Sequence, residues 1–430
     1  MDVDSTYRMA GELNDLKSYL NEVMEHSSFN VSKIKLSDQN EWKMTAGALS
    51  HESGGFFHVV GLDVGLQQEE CLVLYQPQSA LTGLAICRLN TTVYVLLQAR
   101  VEPGNTGICQ YGPTIQSTPA NYLGWHGGKM STGIGLFNTY QENVFPISNS
   151  EQLDLGKRYF HKSKAHQYIE VDHLSPIQRN MIWVPLNTIY EALEYDHFLN
   201  ADLRSLLAIF DWDAFNNVTR RKGAAMESHA LFYHALFERP QEPRCNRFVA
   251  LDRLTRWNLT DAGVADLYDQ GVSVGIYHTS TTVREVRSWA QPLMQCSNTG
   301  LVELVLRKVS GQTEFLISIQ HEFGLIGNKA VFPTFVLYPG ENKTSIVRGI
   351  QQGRIISSVI QSDEGGRFYQ CNSIYQVIMI ENEFSTGKDQ YWINEDTLKQ
   401  LLYTSNLVSF QLRCICSLLL KELNPGSFPV

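Results

Sequence analysis

Residues 98–122, QARVEPGNTGICQYGPTIQSTPANY, gather side chains able to do chemistry within a short stretch. An apolar run ends at Glu102, a carboxylate able to take or give a proton, and a loop dense in small, hydroxyl and amide groups follows. Thr114, Gln116, Ser117, Thr118, Asn121 and Tyr122 offer donors and acceptors in short compass, as recognition of a polyhydroxylated ligand requires. A turn-rich loop satisfying its own backbone has the same residue types, and composition alone does not separate the two. Tyr122 and His126 join Glu102 as candidates for proton transfer. Histidine titrates nearest neutral pH, although a histidine beside Gly127-Gly128 is also an ordinary loop residue. Arg100 and Arg158 could grip a diphosphate by bidentate contacts. Arg158 recurs as Arg367, so a structural ion pair explains it equally well.

The elements that position these groups follow from an internal repeat. Trp42 precedes Gln76-Pro77, and Trp257 precedes Gln291-Pro292, by the same 34 residues. QARVEPG lies over SIQHEFG, pairing Glu102 with Glu322 and Gly104 with Gly324 at an offset of 220 that also pairs Pro113-Thr114 with Pro333-Thr334. QLDLGKRYF then lies over QSDEGGRFY at an offset of 209, matching Asp154 to Asp363, Gly156 to Gly365 and Arg158 to Arg367. That register holds through Trp183 and Trp392, Leu193 and Leu402, and Arg204 and Arg413. Two unrelated α+β domains would not keep it.

Apolar or alternating runs predict strands at 56–64, 92–101 and 166–171, and at 313–320 and 375–381 in the second copy. Each copy closes on a helical pattern, Leu186 to Phe210 and Asp396 to Leu420, interrupted by YDHFLN or YTSNLV into two short helices. The expected fold is α+β: an N-terminal helical segment at 1–30, then two tandem repeats at 31–215 and 246–430. Each repeat is a mixed sheet with flanking helices, and a partly helical linker at 216–245 joins them. The second copy has PTFVLYPGEN where the first has PTIQSTPANY, with Val336 opposite Gln116 and Leu337 opposite Ser117, and its EPGN has become EFGL. The first repeat is therefore the expected active copy. The second is expected to keep the fold without a competent ligand pocket.

Composition sets the outer limits. A net charge of −9 on 430 residues argues against a nucleic-acid surface, which needs a basic face. The eight cysteines lie mostly in apolar runs and read as reduced core residues. Cys414 and Cys416 are wrongly spaced for a redox pair, and no metal-ligand spacing occurs, so no metal is expected. The first residues show no signal peptide, and apolar stretches such as LVELVL at 301–306 fall far short of the roughly 20 residues that span a bilayer. A cytoplasmic protein without membrane contact is expected.

QARVEPGN followed by GPTIQSTPANY resembles the motif of the NDP-hexose 2,3-dehydratases, a QA-(K/R)-x-EPGN strand and a PTVQ-(A/C)-(T/N) loop ending in Asn-Tyr. The likeness continues through GGFFHVVGLDV, the Gln-Pro pair, the Gly-x-Arg-Tyr step and the Trp-containing helix, and covers nearly the whole chain. The resemblance implies tandem Nudix-like repeats, usually a homodimer, without the Nudix metal box; no such box occurs in the chain. It implies an enzyme that removes the C2 hydroxyl and C3 hydrogen of dTDP-4-keto-6-deoxyglucose to give a 3,4-diketo-2,6-dideoxy sugar nucleotide, a precursor of deoxysugars in natural products or surface glycans. A non-catalytic sugar-nucleotide or glycan binding protein, and a lyase on another nucleotide sugar, are the alternatives. The C3 hydrogen lies beside a ketone, so a modest base suffices if donors meet the O4 enolate, and no redox cofactor or metal is required. Glu102, Tyr122 and His126 are the catalytic candidates. Gln98, Arg100, Thr114, Gln116, Ser117, Thr118, Asn121, Arg158 and Tyr159 form the expected substrate-binding set.

Overall fold

The computed structural model describes residues 7–427 apart from 66–68, 126, 139–142, 175–177, 179, 217–228, 239–245, 269–270, 342–352 and 382–383. Each repeat contributes one large and one small mixed sheet, four sheets in all among the described residues. The large sheet of repeat one runs Val144–Leu153, Ser163–Val171, Ala80–Leu89, Thr92–Val101, Met181–Pro185. Cys109–Gly112 and Ile115–Ser117 pair onto Thr92–Val101 and Ala80–Leu89. Repeat two reproduces this order with Arg354–Ser362, Asn372–Ile380, Gly300–Val309, Gln312–His321 and Gln390–Asn394. In both, the central pair is parallel (Ser163–Val171 on Ala80–Leu89, Asn372–Ile380 on Gly300–Val309), which makes the sheets mixed. The α+β tandem architecture expected from the sequence is the one found.

The predicted strand at 92–101 matches end to end, because both its faces are buried and its apolar run is continuous. The helical tails break as expected, into Leu186–Ala192 and Ala201–Ala208, and into Glu395–Leu402 and Phe410–Cys416. Asn200 and Ser409 start the second helix of each pair, accepting the amides of Leu203 and Leu412. Ala201–Ala208 packs on Phe410–Cys416. Arg413 is fully buried there, donating to Ser205 Oγ (2.7 Å) and to the Val408 carbonyl (2.8 Å). One apolar cluster runs through both repeats. Helices also form at Leu13–Glu25, ahead of repeat one, and at Ala230–Phe237, between the repeats. The seven described cysteines carry free thiols, five of them buried, and Cys245 lies outside the described residues.

Two strands cross between repeats. Phe29–Ile34 pairs antiparallel with Val272–Thr281 of repeat two, and Asn246–Val249 pairs antiparallel with His58–Val64 of repeat one. Each repeat's leading strand thus completes the other repeat's small sheet, an exchange that no local sequence pattern announces.

Within each large sheet, one threonine clasps the two longest central strands. Thr114 Oγ1 accepts the Ala85 amide at 2.9 Å and donates to the Leu96 carbonyl; Thr334 does the same with Val305 and Leu316. Replacing either hydroxyl by a methyl strands a buried amide and a buried carbonyl. Thr114→Val and Thr334→Val are each expected to lower unfolding free energy by about 1–3 kcal/mol in denaturant titrations, and by similar amounts. A large loss at Thr114 with none at Thr334 would contradict the shared clasp.

Candidate active site

Period-2 geometry puts Gln98, Arg100 and Glu102 on one face at the end of the strand Thr92–Val101. All three are buried. Arg100 donates to Gln98 Oε1 through Nη1 (2.8 Å), and to Glu102 Oε1 through Nη2 (2.9 Å) and Nε (3.3 Å). Arg284 of repeat two comes within 4.0 Å of the same carboxylate oxygen, and donates to the Val101 carbonyl and to Glu285. Burial opposes the charge on Glu285, yet Arg284 and Arg100 override it and pull that carboxyl down to about 2. Glu102 Oε2 remains, buried and without a hydrogen-bond partner among the described residues.

Glu102 lines a cleft of about 420 Å³ walled by the large sheet of repeat one and by strands of both small sheets. Six of the expected residues reach it: Arg100, Glu102, Gln116, Ser117, Thr118 and Asn121. Gln116 accepts from Asn200 at 3.0 Å, Ser117 shares a hydrogen bond of 2.6 Å with Ser131, and Thr118 Oγ1 is buried without a partner among the described residues. Gln98 stands behind Arg100, and Thr114 is committed to the sheet clasp. Tyr122 packs with Leu81, Ile115 and Ile134 and does not line the cleft. His126 lies outside the described residues. Arg158 is buried elsewhere, donating to the Pro339 carbonyl with its guanidinium 5.1 Å from the Tyr338 ring. Tyr159 reaches the cleft only through Glu364, to which its hydroxyl donates at 3.3 Å.

Several cleft residues escape sequence reasoning, and many come from repeat two: Arg284, Trp289, Gln291, Glu364, Gly366 and Arg367. Repeat one adds His51, Trp125 and Lys164. Behind the wall lies a buried charge cluster. Lys164 Nζ donates to Asp202 (2.7 Å) and Glu364 (3.2 Å) and lies 3.4 Å from Asp154. Lys162 Nζ lies 3.6 Å from Asp154, 3.8 Å from Glu364 and 4.0 Å from the Tyr159 ring centre. Burial favours the neutral form of every member. On Glu364, Lys164, Lys162 and Arg367 outweigh it and hold the carboxyl well below its ordinary range. Burial wins on Asp202, pushed up to about 6 against the pull of Lys164, and it lowers Lys162.

A signal for these residues was present at the mismatches between the repeats. In QLDLGKRYF and QSDEGGRFY the matched aspartate and arginine build the same loop twice, while Leu155 faces Glu364 and Lys157 faces Gly366. The first mismatch brings a carboxylate to the cleft and the second opens space. A methyl group on Gly366 would sit 3.8 Å from Glu364 Oε1 and 4.0 Å from Glu102 Oε1, so both carboxylates lie near one point of the cleft.

The corresponding place in repeat two is closed. Tyr338, opposite Thr118, donates its hydroxyl to Glu322 Oε2 at 2.8 Å, so a buried phenol stands against this carboxylate where Thr118 lines the cleft beside Glu102. Burial pushes the Glu322 carboxyl up to about 7. Val336 and Leu337 pair with Val302 and Leu301 as Gln116 and Ser117 pair with Thr82 and Leu81, and put apolar side chains where repeat one has polar ones.

The model of the NDP-hexose 2,3-dehydratase family matches twice, over residues 13–210 and 236–419. The chain belongs to that family. Each matched span includes the leading strand that crosses to the other repeat in this chain. Three similar proteins are named dTDP-4-dehydro-6-deoxy-alpha-D-glucopyranose 2,3-dehydratase. The one from Saccharopolyspora spinosa is 24% identical, over 92% of this chain and 89% of its own. The one from Amycolatopsis orientalis is 25% identical over 93% and 88%, and the one from Streptomyces violaceoruber 24% over 90% and 92%.

Gly366→Ala tests the cleft without disturbing its walls. The added methyl meets only ordinary contacts, and the backbone at Gly366 is not left-handed. The variant is expected to keep its thermal midpoint within about 2–4 °C while turnover falls roughly 10- to 100-fold, because the methyl takes space beside both carboxylates. Full activity would place the chemistry elsewhere.

Proposed function

We propose that this chain removes the C2 hydroxyl and C3 hydrogen of dTDP-4-keto-6-deoxyglucose, the sugar nucleotide named for its relatives, giving a 3,4-diketo-2,6-dideoxy product. Glu102 carries the reading: a carboxylate with one oxygen fixed by Arg100 and the other unpartnered, lining a cleft beside a loop of hydroxyl and amide groups. Glu102 takes the C3 hydrogen, and the electrons pass to O4 as an enolate. Thr118 and Asn121 are the nearby donors suited to that oxyanion. The C2 hydroxyl then leaves as water with the proton Glu102 has taken.

Arg367 and Arg284 take the place proposed for Arg158 as cations for the diphosphate, since both line the cleft. Trp125 and Trp289 offer aromatic faces for the nucleobase. Family membership supports Nudix-like repeats, a homodimer working in the cytoplasm and a product that feeds deoxysugars for glycosylation. Among the described residues, no helix is long and apolar enough to cross a membrane.

Glu102→Gln keeps size and removes basicity. The rate constant for turnover of the 4-keto substrate is expected to fall by roughly two to four powers of ten with little change in KM. In deuterated water, exchange of the C3 hydrogen in unreacted substrate should slow in parallel. Unaltered turnover would remove Glu102 from the mechanism. Exhaustive EDTA treatment is expected to leave wild-type activity intact; a loss restored by one divalent ion would overturn the metal-free reading.

A further inference from the structure

We infer that Glu364, supplied by repeat two, is the second catalytic carboxylate of this cleft: it accepts the sugar's C3 hydroxyl and takes its proton as the C3 ketone forms. The inference rests on the dehydratase reading above. Elimination between C2 and C3 leaves a double bond whose C3 carbon still bears a hydroxyl, which is an enol. Forming the second ketone requires loss of that O–H proton and gain of a proton at C2. C3 carries its hydrogen and its hydroxyl on diverging bonds, so a base placed for the hydrogen is badly placed for the hydroxyl. A second acceptor must approach from another side.

Glu364 has that placement. It lines the cleft, entering from repeat two where Glu102 enters from repeat one, and a methyl placed on Gly366 would lie 3.8 Å from its Oε1 and 4.0 Å from Glu102 Oε1. Its Oε2 is anchored by Lys164 (3.2 Å) and Tyr159 (3.3 Å), with Lys162 at 3.8 Å. The anchoring groups all belong to repeat one and hold the side chain ionised, which leaves Oε1 an acceptor for a hydroxyl. In repeat one the matching residue is Leu155, so this carboxylate occurs once in the pair of loops. The step balances. Glu364 takes the O3 proton, the C3–O bond becomes double, and the electrons of the C2–C3 double bond take a proton from the water just formed. That water recovers its proton from Glu364.

The test compares Glu364→Gln and Glu364→Asp with wild type on substrate deuterated at C2, in ordinary water, with the product trapped by chemical reduction and read by NMR. Wild type is expected to give a single configuration at the deuterium-bearing C2. In both variants C3-hydrogen removal should stay within roughly tenfold of wild type, since Glu102 is untouched. Ketone formation should escape to solution and give both C2 configurations. Glu364→Asp keeps the charge beside the two lysines, so it carries the test if the glutamine variant does not fold. A single C2 configuration at wild-type rate from folded variants would overturn the role of Glu364. Failure of the wild type to turn over the 4-keto sugar would instead overturn the dehydratase reading.

Discussion

Each repeat grips the other through a glycine that follows its strand carboxylate. The Gly104 amide donates to the Gly365 carbonyl at 2.8 Å and its carbonyl accepts from the Gln370 amide at 2.7 Å. Gly324 mirrors this with the Gly156 carbonyl (2.9 Å) and the His161 amide (2.7 Å). A β-carbon on Gly104 would lie 1.6 Å from the Phe368 carbonyl oxygen, and one on Gly324 would lie 1.9 Å from that of Tyr159, so any side chain would force the backbones apart. These two crossings set where the repeats meet. Because Glu102 lies two residues before Gly104, and Glu364 directly before Gly365, the contact that joins the repeats also brings the two carboxylates to one cleft.

The pseudo-twofold relation would produce two such clefts, and a few substitutions make them unequal. Tyr338 sets a buried phenol against Glu322, where the smaller Thr118 lines the open cleft beside Glu102. Asp154, Lys162, Lys164 and Asp202 face Asp363, Cys371, Ser373 and Gln411 in the matching register, so the ionic side chains collect around one site. Buried ions are costly unless each meets an opposite charge at close range. Lys164 meets three carboxylates, and the two lysines share Glu364, which ties that residue to repeat one as firmly as its backbone ties it to repeat two.

The parts of the fold legible in the sequence are those governed by local pattern: the strand Thr92–Val101, the interrupted terminal helices and the order of elements in each repeat. The polar loop that lines the cleft was legible too, in Gln116, Ser117, Thr118 and Asn121, because polar residues crowd together there. What stayed hidden depends on contacts between distant segments. Comparing the repeats pairs like with like, and so favours Arg158 because it recurs; the fold crosses the loops, sending Arg158 to the closed place in repeat two and Arg367 to the open cleft. The strand exchange of Phe29–Ile34 and Asn246–Val249 leaves no periodic trace, since each strand looks like part of the repeat it precedes. Glu364 sat at a mismatch, which a search for shared residues passes over.

Catalysis by two carboxylates needs both held still in different orientations. Each is fixed here by cations drawn at least partly from the opposite repeat. Glu102 is held by Arg100 of its own strand and approached by Arg284 of repeat two, while Glu364 is held by Lys164 and approached by Lys162, both of repeat one. A shift of one repeat against the other would therefore loosen both carboxylates together. The glycine crossings oppose that shift with four backbone hydrogen bonds, and the exchanged strands oppose it with two further ladders. The second repeat, closed as a pocket, thus has a function in the first. It supplies Glu364, Arg284 and Arg367 to the cleft, and it supplies the rigid frame against which Glu102 is aimed.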